Sequence, residues 1–293
     1  SYNVENLFDL ARDGREYSEY IPNNPYGWNK QTFNIKLNNI AKTIKDLGAD
    51  IIALQEIESK KALILLQKRL REFNIDYPYQ VLADSKPTAV KCALLSKFPI
   101  IKKKEIKIRS KSSRNILMCS VNIDNKPLII FVNHWKSKAG PESKRLIYAR
   151  SLAADISTLA CDVDFILIGD FNSDYNEYET FKGISRLNET RGVTGSNHIL
   201  NTVNGSQMIE ESALISQKDC QYMYNLWLEI PEYRRWSVNF FGRKNSPDSM
   251  IVSKGLYDST GISYVDNSFD KFDPDYLFDN NKVFRWQRAD RGK

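Results

Sequence analysis

Five short apolar runs in this chain break off on, or start from, side chains that carry oxygen or imidazole. They are Tyr2-Asn3-Val4-Glu5-Asn6, Leu54-Gln55-Glu56, Phe131-Val132-Asn133-His134-Trp135-Lys136, Ile168-Gly169-Asp170-Phe171-Asn172-Ser173, and Ser246-Pro247-Asp248 ahead of Met250-Ile251-Val252. A carboxylate at the end of a buried strand is costly unless something pairs with it. Any one of these ends has an ordinary reading as a helix cap or a turn. Five of them are harder to dismiss, because strands that share a sheet edge would bring the polar groups into one cleft.

The segments between these ends alternate in type. Phe33, Leu37, Ile40, Ile44 and Leu47 recur at helical spacing over 30–48, and Gly48 is a natural stop. Asp50–Glu56 is a short apolar run of buried-strand type, and 60–73 is helical again. Strands are expected at 79–83, 90–96, 100–108, 115–123 and 127–133, punctuated by Pro99 and by Asn125-Lys126-Pro127. A helix is expected over 141–160, with Pro141 in its first turn and Leu146, Ala149, Ala153, Ile156 and Ala160 on one face. Asp164–Gly169 is another buried strand, and 171–220 is polar and loop-rich. Trp236–Phe241 and Met250–Val252 are two further strands, joined through an Arg243–Pro247 turn. Local strand pairs mixed with helices give an α/β (α+β) class with mixed sheets faced by helices. No GxGxxG or GxxxxGK[ST] loop occurs, so a nucleotide cradle of those kinds is excluded.

With 293 residues, 42% of them apolar, the chain can bury a large core. Its net charge of +6 suits a polyanionic partner, although solubility alone also accounts for it. Cys92, Cys119 and Cys161 sit in or beside apolar runs and read as buried thiols. Together with Cys220 they form no CxxC spacing, so a structural zinc is not expected, and nothing in their spacing argues for a disulfide. No run reaches the length of a membrane span and no signal segment opens the chain, so stable membrane association is not expected and the compartment stays undecided. Ser1 stands so close to the first motif that a processed or trimmed form is expected.

The chemistry that needs such a set of strand ends is phosphodiester hydrolysis. Mg²⁺ takes oxygen ligands, one or two of them carboxylates, and leaves the rest of its sphere to water and phosphate. A second carboxylate can orient or deprotonate water, and a histidine can balance charge or pass a proton.

The residues also resemble a known family. YNVENLFD (Tyr2–Asp9), LQEIE (Leu54–Glu58), NHWKSK (Asn133–Lys138) and GDFNS (Gly169–Ser173), in that order, look like the endonuclease/exonuclease/phosphatase superfamily. That group includes pancreatic-type DNases, exonuclease III-like repair endonucleases, inositol-phosphate 5-phosphatases and neutral sphingomyelinases. The resemblance runs from Asn3 to about Val252. It implies a four-layer α-β-β-α sandwich of two packed mixed sheets, formed by residues 1–293 as one domain, with the site at one sandwich edge. It also implies a divalent cation, Mg²⁺ or Mn²⁺ with Ca²⁺ as a further option. Glu56 matches the principal metal ligand and Asn3 the amide beside it. Asp170 matches the carboxylate that aligns or activates water, Asn172 the amide that meets the phosphate, and His134 the histidine of the DNase-like branch. Asp84 falls roughly where that branch has an acid paired with the histidine, with a solvated loop aspartate as the other reading.

The sequence departs from the pattern in two places. Pro247-Asp248-Ser249-Met250 stands where the family has Leu-Asp-His or Leu-Asp-Tyr, so the aspartate is kept while its neighbours differ. The family's C-terminal Ser-Asp-His does not occur, and the only other histidine, His198, lies in a polar loop and reads as a surface residue. The chain stops at Arg288–Lys293, where that motif would follow. A chain cut short of its last catalytic strand is the favoured reading, because Ser1 also begins in mid-strand; loss of that half of the site is the other. Lys136, Lys138 and Arg114 are candidate phosphate contacts, as are the neighbouring Arg109, Lys111, Arg243 and Lys244, with solvated surface charge as the alternative for each. The expected activity is a metal-dependent nuclease, most directly a DNA endonuclease, acting as a monomer. The alternatives are a phosphatase or sphingomyelinase of the same fold, or an inactive nucleic-acid-binding relative.

Overall fold

The computed structural model describes residues 1–110, 112–240, 242–279 and 282–283. Lys111, Phe241, and the Arg288–Lys293 end therefore lie outside the described residues.

Two sheets form the centre. The first has four strands, β1 (Tyr2–Leu7), β2 (Ile51–Ile57), β3 (Tyr79–Leu82) and β4 (Lys91–Ser96), in the order β1-β2-β4-β3. Its one parallel pair is β1 with β2. The second has six strands. Beginning at one edge they are a two-residue strand at Tyr224–Asn225, then β9 (Asp248–Val252), β8 (Phe165–Asp170), β7 (Lys126–His134), β6 (Ile116–Ile123) and β5 (Ile100–Ile106). Here β7 and β8 are parallel and the other neighbours antiparallel.

The strands that join the layers are buried on both faces, which is why they read as unbroken apolar runs. Alternate residues serve alternate layers. In β2, Ile52 and Leu54 face helices α1 (Lys30–Leu47) and α2 (Lys60–Glu72), while Ala53 faces the other sheet. In β7, Phe131 faces helix α3 (Glu142–Ile156), while Ile130 and Val132 meet Cys92, Leu94, Leu117 and Cys119 between the sheets. The order helix, sheet, sheet, helix is the four-layer arrangement implied by the sequence motifs. Each large aliphatic side chain buried in these layers contributes roughly 1.5–3 kcal/mol.

Local chemistry sets the helix ends. Asn29 caps α1 by accepting from Gln31 N and Thr32 N, and Thr32 answers from its side chain. Gly48 ends it with a left-handed φ of 67°.

Three expectations are corrected. Cys161 is exposed and disulfide-bonded to Cys220, with Cα atoms 5.5 Å apart, whereas Cys92 and Cys119 are buried free thiols as expected. The pairing spans 59 residues, so no local spacing announced it. His198 is half-buried rather than a surface residue: its Nδ1 accepts from Thr194 N at 3.0 Å in a turn whose Gly195 packs on Trp135. Finally, Arg243–Asn245 is not a connecting turn. It pairs with Val238–Phe240 as a separate hairpin, turned at Gly242 with φ 81°, while β9 pairs with β8.

Candidate active site

Three neighbouring strands of the six-stranded sheet place a row of polar groups by register alone. His134 at the end of β7 lies opposite Asp170 at the end of β8, and Asp170 lies opposite Asp248 at the start of β9. Gly169 makes this row possible. Its φ is 129°, and a Cβ there would lie 2.2 Å from the carbonyl oxygen of Asn133. The preceding asparagine has a supporting part: Asn133 Oδ1 accepts from Trp135 Nε1 at 2.9 Å, fixing the buried indole, on whose edge Phe171 packs.

The four-stranded sheet supplies the opposite side through irregular backbone. The register of β1 with β2 slips between Asn3 and Leu7, where Glu5 and Asn6 have φ of 50° and 67°. The register of β2 with β4 slips between Leu54 and Ile57, and Glu56 has φ 69°. A glutamate held in the left-handed region stores about 1 kcal/mol or more of strain, which the surroundings must impose. The bulges aim Asn3 and Glu56 across the cleft. Asn3 Nδ2 lies 3.1 Å from Asp170 Oδ2 and 3.4 Å from Glu56 Oε1, while its Oδ1 accepts from Glu5 N. His134 Nε2 is 3.6 Å from Glu56 Oε1 and 3.7 Å from Asp170 Oδ2. Asn172, also at positive φ, donates its backbone N–H to Asp170 Oδ1 at 2.8 Å and its amide to Trp135 O at 3.1 Å. Ser237 Oγ donates to Asp248 Oδ2 at 2.7 Å, and Trp227 Nε1 to Asp248 O at 2.6 Å.

The structure thus brings together Asn3, Glu56, His134, Asp170, Asn172 and Asp248. The Arg114 guanidinium joins them against the imidazole, with Nη1 at 2.8 Å from Nε2. Asp84 does not: it is largely exposed and paired with Lys103 at 2.7 Å, and the carboxylates that face His134 are Glu56 and Asp170. Lys138 is already engaged by Asp174 at 2.8 Å and Glu177 at 2.6 Å, which leaves its charge little to offer a phosphate. Lys136 is half-buried just beyond His134. The contact of Arg114 with the histidine had no sequence signal, because a loop arginine twenty residues upstream announces no partner.

The electrostatics are those of a site short of positive charge. Burial pushes Asp170 up to about 8, and the neighbouring Asp248 adds to the shift. Burial also raises Glu56, against the pull of Arg114, and raises Asp248. His134 is driven well below its ordinary value, first by burial and then by Arg114, so the ring is neutral. Asp170 is buried and Glu56 and Asp248 are half-buried, and the pull of Arg114 and Lys36 on Glu56 does not offset its burial. An oxygen-rich, under-compensated set of this kind fits a hard divalent cation, which Glu56 could hold with Asn3 beside it. A second acidic group, Asp13, Glu16 and Glu58, has oxygens within 4.8 Å of one another, and each of the three already accepts from a backbone N–H, with Asp13 also paired to Arg15.

A sequence model described as the Endonuclease/Exonuclease/phosphatase family matches residues 1–208. A search of curated proteins gave no match. Solved structures share the fold at low identity. TDP2 of D. rerio complexed with a single-strand DNA product matches with 13% identity and a TM-score of 0.54, over 79% of this chain and 81% of that one. ANGEL2, a 2',3'-cyclic phosphatase, matches with 13% identity and 0.53, over 76% and 75%. A family protein from Leptotrichia buccalis matches with 15% identity and 0.51, over 80% and 87%.

Proposed function

The chain belongs to the endonuclease/exonuclease/phosphatase family, a family of phosphoric-ester hydrolases, and we propose that it is a divalent-metal-dependent phosphodiesterase that cuts nucleic acid, most directly as a DNA endonuclease. The observation that carries this reading is the convergence of His134, Asp170 and Asp248 from one sheet on Glu56 and Asn3 from the other. The net charge of +6 and the DNA product held by one fold neighbour support a nucleic-acid substrate. No helix of the described residues is long and apolar enough to cross a membrane. We take the unit to be one domain acting as a monomer.

Glu56 and Asn3 would hold Mg²⁺ or Mn²⁺, with Ca²⁺ able to occupy the same oxygens; when bound, the cation would neutralise charge on the phosphoryl group in transfer. The protein groups divide the remaining work. Asp170, whose carboxylate is held between Asn3 and the Asn172 backbone, orients the attacking water and takes its proton. Neutral His134 donates a ring N–H to a phosphoryl oxygen. Arg114, permanently charged and against that ring, can donate to a second such oxygen. Asn172 keeps one amide N–H for the phosphate, since the other is spent on Trp135. Asp248 holds its place in the row through Ser237.

The test is plasmid nicking with purified protein and Mg²⁺ or Mn²⁺. Cleavage that falls at least ~100-fold in Glu56→Ala and in His134→Ala is expected. Intact plasmid alongside release of inorganic phosphate or phosphocholine from small esters would replace the nuclease with a phosphatase or sphingomyelinase. Salt-sensitive DNA binding with no hydrolysis of any ester would leave an inactive relative.

A further inference from the structure

The hairpin that precedes β9 has features the catalytic set does not use. Its strands Val238–Phe240 and Arg243–Asn245 pair in register, with Asn239 opposite Lys244. It is anchored to the site at its base. Ser237 holds Asp248, and Asn245 and Ser246 hold Asp174 in the segment just after Asn172. The far end is exposed at Arg243 and Lys244.

Charge is concentrated here around one indole. Lys271 Nζ lies 3.5 Å and Lys244 Nζ 4.8 Å from the Trp236 ring centroid. Arg234 pairs with Asp270 at 2.9 Å, and Lys271 with Asp273 at 3.2 Å. Neither Arg243 nor Lys244 has an ion pair among the described residues. Around this indole, three cations, Arg234, Lys244 and Lys271, thus meet two carboxylates among the described residues, Asp270 and Asp273. Burial pushes the Lys271 ammonium below its ordinary range, Asp273 opposes that shift, and Arg234 and Lys244 add repulsion. Ammonium groups held at an aromatic ring are partly desolvated and kept in place. A bridging anion would relieve their mutual repulsion. A mononucleotide-sized ester bound at Glu56 and Asp170 offers one phosphate; only a chain of phosphates also reaches a second cationic surface joined to that site.

We propose that the hairpin, with Arg243 and Lys244 at its end and Trp236 at its base, binds the phosphate backbone of a nucleic-acid strand beyond the scissile bond, and so makes the substrate a polymer rather than a small ester. The inference rests on the phosphodiesterase reading above and deepens it. Exposed Arg243 and Lys244 supply point charges for the backbone of a single strand, and the half-buried Trp236 ring holds the Lys244 ammonium in place for that contact.

The experiment compares two substrates, an oligonucleotide of about 20 residues and bis(p-nitrophenyl) phosphate, in the double variant Arg243→Glu/Lys244→Glu and in the charge-retaining Arg243→Lys/Lys244→Arg. The expected result is a fall of about tenfold in the ratio of kcat/KM for the oligonucleotide to that for the small ester, carried by KM. The slope of log KM against log salt should drop by about 1.4, roughly 0.7 for each lost contact, and the charge-retaining variant should keep both values. An unchanged ratio overturns the proposal, as does a parallel fall on both substrates. So does binding of wild type to phosphatidylserine vesicles that the double variant loses while oligonucleotide cleavage persists, which would make the hairpin a membrane contact. A wild-type protein that cleaves the small ester and not the oligonucleotide refutes the polymer surface alone; one that cleaves neither removes the activity on which it rests.

Discussion

The two sheets build their halves of the site by opposite means. The six-stranded sheet uses regular register: three adjacent strands, about 4.8 Å apart, set His134, Asp170 and Asp248 side by side. The four-stranded sheet uses irregularity: two slips of register and left-handed backbone at Glu5, Asn6 and Glu56 aim its side chains. A row in register is held by every ladder bond along the strands, so its backbone is rigid and intolerant of change. A bulge is held by fewer bonds and stores strain, and its side chain can be replaced with little loss or even a gain in stability. The two halves should therefore answer differently to mutation.

The largest effect is expected at the centre of the row. Asp170→Asn should lower cleavage by about 1,000-fold, equivalent to ~4 kcal/mol of barrier, while leaving the metal-free protein as stable or more so. Burial and Asp248 already make that carboxylate unfavourable when charged, and the amide removes the repulsion. Urea unfolding in EDTA beside a plasmid assay checks both parts, and a destabilised Asp170→Asn would mean the charge is compensated by something other than a cation. Gly169→Ala should destabilise by about 3 kcal/mol or more, because its Cβ would meet Asn133 O at 2.2 Å on backbone that ladder bonds hold in place. Reducing the Cys161–Cys220 link, whose ends are 59 residues apart, should lower stability by about 2–4 kcal/mol through the unfolded chain. Non-reducing peptide mapping first shows whether the bond forms, and reductant titrated into the unfolding assay then sizes it.

Much of this was legible in the sequence, for a physical reason. A strand buried on both faces must be apolar until the residue where it meets the cleft, so Ile168-Gly169-Asp170 and Val132-Asn133-His134 announce both the strand and its functional end. The helix of 30–48 was equally clear, since Phe33, Leu37, Ile40 and Ile44 all enter the core. Contacts made by distant loops were not. Arg114 reaches His134, and Cys161 reaches Cys220, across connections whose lengths carry no period. His198 has polar neighbours in sequence, yet Gly195 without a side chain lets its turn pack on Trp135. The resemblance suggested Asp84 as partner of the histidine, but Lys103 on β5, an edge strand of the other sheet, takes that carboxylate instead.

Two smaller effects separate the bulge from the row. Glu56→Gly and Glu56→Ala should both abolish cleavage, yet the glycine variant should be the more stable by about 1 kcal/mol, since φ 69° suits glycine and strains alanine. Equal stabilities would mean the bulge relaxes once its carboxylate is gone, and the contrast between a strained half and a regular half would fail. The smallest effect belongs to Asp84. Its ion pair with Lys103 is exposed, so Asp84→Ala should change stability by no more than about 0.5 kcal/mol and cleavage hardly at all. Arg114→Ala, by contrast, removes a guanidinium that contacts His134 and acts on Glu56, and should lower cleavage by at least ~10-fold. If Asp84→Ala proved the more damaging of the two, an acid and not Arg114 would be what holds His134, and the row would owe its geometry to the four-stranded side as well.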